Sequence, residues 1–237
     1  MSVMDLDVGH EPRLKLRADF FSSLLKLYAQ LNITDFGLFP REKGRVGSII
    51  TEYPVQAIEI FIDKMFNLPD EQPPFGVLQV KDALSILKNV DGEVLYDFSK
   101  HQGAIHVGEE VYTFKSQEIV EFSLLKNYQP DAFVNVSIDQ LLSTLRKVED
   151  LANFSYDGSK LHVNGERIRA EGSGSFSGHT FKTTWLRPFL TRLSRLHPTT
   201  VRLGFKTYSD ERRFGPLVVE CSINQISLRY FLAPYIL

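Results

Sequence analysis

The sequence predicts an α+β chain of two similar halves, each an antiparallel sheet with two helices on one side. Three observations predict it: strand-like alternation interrupted by four amphipathic segments, an aperiodic polar stretch from Ser116 to Asp131, and the same order of elements again beyond that stretch. With 237 residues the chain has room for two modest domains, each burying its own core. Hydrophobic residues make up 43% and charged residues 24%, an ordinary globular balance that sets aside disorder and fibrous repeats.

Taken in order, residues 1–11 are acidic and aperiodic and read as a flexible extension. Leu14 and Leu16 alternate in a strand over Arg13–Arg17. A helix over Asp19–Asn32 follows, with Phe21, Leu24, Leu25, Tyr28 and Leu31 at helical spacing on its buried face. Strands are expected at Asp35–Phe39, Gly47–Thr51 and Val55–Ile62, around a polar turn at Arg41–Arg45. The Pro-rich segment Leu68–Phe75 precedes a short helix over Val80–Asn89, and strands follow at Glu93–Phe98, Ala104–Val107 and Glu110–Phe114. These elements make up a first domain, 1–115.

Residues 116–131 read as a connecting loop, closing on Gln129 and Pro130. The second domain, 132–237, begins with a strand at Ala132–Val136 and a helix over Ser137–Leu151. Strands lie around Phe154, Leu161 and Ile168, then come a Gly/Ser turn, a helix over Trp185–Leu196 and three final strands.

Formal net charge is -2, so affinity for nucleic acid would need cations gathered on one surface. The single cysteine, Cys221, can form no internal disulfide, and no charged-then-apolar leader opens the chain, which predicts a reducing intracellular setting. The apolar runs Pro216–Val219 and Tyr230–Leu237 are too short to span a bilayer. His101 and His106 lack cysteine or carboxylate partners at zinc spacing, so no metal or other cofactor is expected. EGSGSFSGH, residues 171–179, lacks the ending of a phosphate loop and reads as a turn and strand end. No serine sits in a nucleophile-elbow context and Cys221 falls in a strand, so no catalytic residue is expected. Trp185 and Phe189 interleave with Leu186, Leu190 and Leu193, a pattern of core packing and not of base stacking.

The closing stretch carries the most specific pattern. TTVRLGF, GPLVVECSI and ISLRYFLAPYI resemble the last strands of DNA sliding clamp subunits of the proliferating cell nuclear antigen (PCNA) family. DALSILKNV, residues 82–90, is similar to the second helix of that family's first domain, and IDQLLSTLRKVEDL, residues 138–151, to the first helix of its second. Order and spacing agree from Arg13 to Leu237, with a divergent first domain around Phe39–Ile49. The resemblance implies two similar clamp domains in a pseudo-sixfold homotrimeric ring around duplex DNA. Such a ring is a non-enzymatic processivity factor in replication and repair. Implied partners are double-stranded DNA bound without sequence preference, DNA polymerase and other clients with short hydrophobic docking peptides, and an ATP-dependent loader. The implied location is the nucleus in a eukaryote, or the cytoplasm and nucleoid in an archaeal or viral setting.

On that frame the DNA-facing cations are Lys26, Lys81, Lys88, Arg146, Lys147, Arg187, Arg192 and Arg195. Ordinary solvated helix faces would look the same. Subunit-joining strands fall at Glu110–Lys115 and Arg167–Ser173, with Val111, Phe114, Ile168 and Ala170 as packing residues; the alternative is that both strands are internal. The partner-peptide pocket comprises Leu124, Leu125, Tyr128, Pro216, Phe231, Ala233, Pro234 and Ile236, against the plainer reading of a terminal strand in its core. Two further readings stand beside a homotrimer: a specialised subunit of a heterotrimeric or virus- or plasmid-borne clamp, and an enzyme with an unrecognised site.

Overall fold

The computed structural model describes residues 13–32, 35–36, 39–41, 45–52, 56–62, 78–98, 102–115, 128–207, 214–223 and 226–235. The expected extension, the Pro-rich segment and most of the connecting loop lie outside them.

In the first half, β1 (Arg13–Arg17), β7 (Glu93–Phe98), β8 (Gln102–Val107) and β9 (Glu110–Lys115) form a four-stranded antiparallel sheet in that order. Apolar residues three and four apart bury one face of α1 (Ala18–Gln30), through Phe21, Leu24, Leu25 and Tyr28. Beside it packs α2 (Val80–Ile86), which is shorter than the expected helix over Val80–Asn89. Short strands β2 (Asp35–Phe36) and β6 (Leu78–Gln79) pair with each other, and β3 (Phe39–Arg41), β4 (Arg45–Glu52) and β5 (Gln56–Ile62) form an antiparallel run.

The second half repeats the programme with β10 (Ala132–Ser137), α3 (Ile138–Leu145), β11 (Leu151–Tyr156), β12 (Lys160–Val163), β13 (Glu166–Ser173) and β14 (Phe176–Lys182). It closes with α4 (Thr183–Ser194), β15 (Thr200–Phe205), β16 (Leu217–Ile223) and β17 (Ile226–Leu232). Ser137 caps α3 by accepting from the Gln140 amide at 3.5 Å. The helix expected over Ser137–Leu151 ends early because the backbone beyond it is held by α4. Thr183 Oγ1 donates to the Glu149 and Asp150 carbonyls at 2.9 Å each, and the Arg187 guanidinium donates to the carbonyls of Val148 and Glu149. The chain therefore turns and starts β11 at Leu151. Asn164 and Gly165, with φ of 49° and 84°, supply the left-handed pair of a two-residue hairpin between β12 and β13.

Among the described residues, one strand pairing joins the halves. β17 runs antiparallel to β5 from Ile226↔Ile62 to Leu232↔Gln56, giving an eleven-stranded sheet that spans both repeats. Leu228, Tyr230 and Leu232 turn inward to a single core containing residues of both halves, and Tyr230 stacks on Phe189 of α4 at 3.8 Å between ring centroids. Among the described residues, the counterparts of these strands have no such joint. β9 follows β8 as β17 follows β16, yet it stands at the edge of its sheet. β13 follows β12 as β5 follows β4, and each of its residues has one strand partner among the described residues: Glu166–Arg169 meet β12 and Ala170–Ser173 meet β10.

His179 is fully buried among Phe176, Phe205 and Phe214, with Nε2 3.1 Å from the Lys206 carbonyl. Burial holds its pKa below the ordinary histidine value. The unfolded chain therefore takes up a proton that the folded chain refuses, so the contribution to stability is complete above about pH 6.5 and is lost as pH falls through the folded value. Urea midpoints measured from pH 7 downward should fall, and the His179→Gln variant should show a flatter dependence.

Candidate functional site

The expected cations sit on the helices and just past their ends. Lys26 on α1, Lys81 on α2, Lys88 after α2, Arg146 after α3 and Arg195 after α4 are exposed, while Arg192 in the last turn of α4 is half-buried. First turns of α1, α2 and α3 carry Asp19, Asp82 and Asp139; that of α4 carries no acid. Carboxylates at helix starts and cations at helix ends each complement the helix dipole, so the pattern also stabilises the helices. Two of the expected DNA contacts are already engaged. Lys147 pairs with Glu166 at 3.0 Å, and Arg187 holds the backbone after α3, which makes it a positioning residue of the α3–α4 pair instead of a free cation.

On the outward face of the second half, Tyr128, Val218 and Phe231 form a small cluster separate from the main core. Alternation along β16 and β17 sends Val218 and Phe231 outward while Leu217, Val219, Tyr230 and Leu232 face inward. The Tyr128 ring meets Phe231 edge-on at 6.2 Å, and its Oη donates to the Pro216 carbonyl at 2.8 Å. Arg229 donates to Glu220 at 3.0 Å and lies over Phe231; Lys206 Nζ donates to the Gln129 carbonyl at 3.0 Å. Gly215 is required here, since a Cβ would collide with the Tyr128 hydroxyl. An open groove of about 640 Å³ adjoins the cluster, lined by Gln129, Arg202, Glu220 and Arg229 among others. Ala233 and Pro234 leave β17 half-buried, and the Tyr235 amide donates to the Thr180 carbonyl at 2.8 Å. Leu124, Leu125 and Ile236 lie outside the described residues.

On β9, the edge strand of its sheet among the described residues, Val111 is 53% and Tyr112 36% exposed, and Phe114 rests half-buried on Tyr96. Ile168 and Ala170, expected to pack across a subunit joint, are 3% and 7% exposed and face the chain's own core. The strand's alternation turns Arg167, Arg169 and Glu171 outward instead.

No family model matches the sequence, and no curated protein matches it. The fold does have counterparts. A. fulgidus PCNA, in a structure with the C-terminal region of FEN-1 bound, shares 14% identity at a TM-score of 0.63, over 95% of this chain and 98% of that one. The DNA polymerase sliding clamp from Pseudomonas aeruginosa gives 15% and 0.68, over 95% of this chain and 67% of that one. The DNA polymerase III beta subunit from Thermotoga maritima gives 11% and 0.70, over 100% and 70%. The chain has the sliding-clamp fold.

Within this clamp fold, sequence spacing does not single out Arg229, Lys206, Val218 or Gly215; the alternation of β16 and β17 is the signal that locates Val218. Cys221 is buried, and burial pushes its thiol up to about 12, as an inert packing residue requires. Among the described residues no group of three or more His, Cys, Asp or Glu is placed to hold a metal ion. Replacing Arg187 by Ala, which strips the donors from the Val148 and Glu149 carbonyls, should cost about 1–3 kcal/mol in urea unfolding. Arg192→Ala should stay within about 0.5 kcal/mol of the parent.

Proposed function

We propose that this chain is one protomer of a ring-shaped DNA sliding clamp, which encircles duplex DNA and tethers a polymerase and other DNA-processing enzymes without catalysing a reaction. The observation that carries this reading is the β17–β5 joint together with its two counterparts, β9 at the edge of its sheet and β13 with one strand partner per residue among the described residues. An exposed strand edge invites pairing, and a head-to-tail contact between unlike edges closes into a ring when its rotation permits. Repeating between chains the joint already made within one gives that contact.

Lys26, Lys81, Lys88, Arg146, Arg192 and Arg195 supply mobile positive charge toward phosphates, sequence-independent and salt-dependent. The polymerase clamps and the FEN-1 complex among the structural counterparts favour clients of the same kind. Such clients would dock an apolar anchor beside the Tyr128–Phe231 cluster, near Pro216, Ala233 and Pro234. A clamp of this kind works where the cell or virus keeps its DNA, and an ATP-driven loader opens it.

Retention on DNA tests the function. On a nicked circle the loaded protein, with whatever sister chains complete it, should persist, and linearising the circle should release it by sliding. Equal persistence on both forms would contradict encirclement. The Arg146→Ala/Arg192→Ala/Arg195→Ala variant should leave the circle sooner and show a shallower salt dependence.

A further inference from the structure

The hairpin β12–β13 sets Lys160 directly opposite Arg169 and His162 directly opposite Arg167. Leu161, Val163 and Ile168 are buried in the core, so alternation leaves those four side chains on the outward face. Lys160, Arg167 and Arg169 are exposed, and none has a carboxylate within ion-pair distance among the described residues.

The acids nearest in sequence are engaged elsewhere or stand off. Asp157 Oδ1 accepts from the Ser159 amide, the Ser159 hydroxyl and the Lys160 amide at 2.8 Å each, and Oδ2 lies 3.1 Å from His162 Nε2. Glu166 is held by Lys147 at 3.0 Å, and Glu171 stands opposite Asn135. Elsewhere on the outward face opposite charges meet: Glu220 is directly opposite both Arg202 and Arg229, at 3.6 and 3.0 Å. Like charges directly opposite one another weaken a strand pair. The core does not require them at Lys160 and Arg169, because it is filled from the other face of the hairpin. An arrangement that costs stability without serving the core is the mark of a surface kept for a ligand, and an anion from outside relieves it.

The size of the patch says which anion. Opposite positions lie about 5 Å apart and successive outward positions on one strand about 7 Å, so the three cations fit a short footprint. The turn Asn164–Gly165 ends it on one side, and Asp157 and Glu171 flank it on the other. Two or three carboxylates of one peptide match that footprint, and each can accept a guanidinium fork through two bonds. A long polyanion such as duplex DNA would run on to the flanking acids. We propose that Lys160, Arg167 and Arg169 form a docking surface for a short acidic segment of a partner protein. The surface is separate from the helix cations and from the Tyr128–Phe231 cluster, so it stands independently of the clamp reading.

Fluorescence anisotropy on the full chain at low salt tests it, with labelled hexaglutamate and a labelled mixed-sequence DNA duplex as probes. The parent should bind hexaglutamate, and added salt should weaken the complex. The Lys160→Gln/Arg167→Gln/Arg169→Gln variant should bind it on the order of tenfold more weakly, while Arg167→Lys/Arg169→Lys should retain most of the affinity. Duplex binding should be the same in the parent and the triple variant. The triple variant should also unfold in urea at a midpoint no lower than the parent's, since it removes a like-charge pair, which rules out misfolding as the cause of lost binding. Hexaglutamate that ignores the parent, or binds parent and triple variant equally, overturns the proposal. A duplex that loses as much affinity as the peptide overturns it in favour of a nucleic-acid surface.

Discussion

The backbone ladder between β17 and β5 is the constraint on which the rest of the molecule depends. Unpaired strand edges expose donors and acceptors that must find partners, and this ladder removes two edges at once. The same strand organises both of its faces. Tyr230 turns inward to stack on Phe189, tying the sheet to α4, while Phe231 turns outward to meet Tyr128 where the connection between the halves ends. Core, joint and outer cluster therefore share β17, and a change in its register would invert all three.

Charge is used locally in this molecule. A formal net charge of -2 gives no general attraction to nucleic acid, so placement decides what each cation does. Arg187 and Lys147 stabilise the second half from within, the first through backbone carbonyls and the second through Glu166. Arg202, Glu220 and Arg229 occupy one cross-strand row, where Glu220 sits between two arginines. On the clamp reading proposed above, the exposed cations on the helices and just past their ends are the ones available for weak, screened contact with phosphates.

Much of the fold is legible in the sequence because hydrophobic spacing reports burial directly. Phe21, Leu24, Leu25 and Tyr28 mark α1, and alternation marks β10. The end of α3 is not legible: Val148 and Leu151 continue the helical spacing, and the contacts that turn the chain come from Thr183 and Arg187, more than thirty residues away. For the same reason Arg187 reads as a surface cation until its distant carbonyl partners are seen. In β13, alternation identifies Ile168 and Ala170 as one face of a strand but not whose core covers that face. The edge status of β9 is a property of topology, which local sequence does not encode.

The central claim is that β9 and β13 close the particle that holds DNA. Amide hydrogen exchange on the complex retained on closed DNA circles addresses it most directly. The account predicts that amides of 110–115 and 166–173 gain protection approaching that of 226–232 when the particle assembles. Amides of 110–115 that exchange as freely in the DNA-retained complex as in the lone protomer would contradict it.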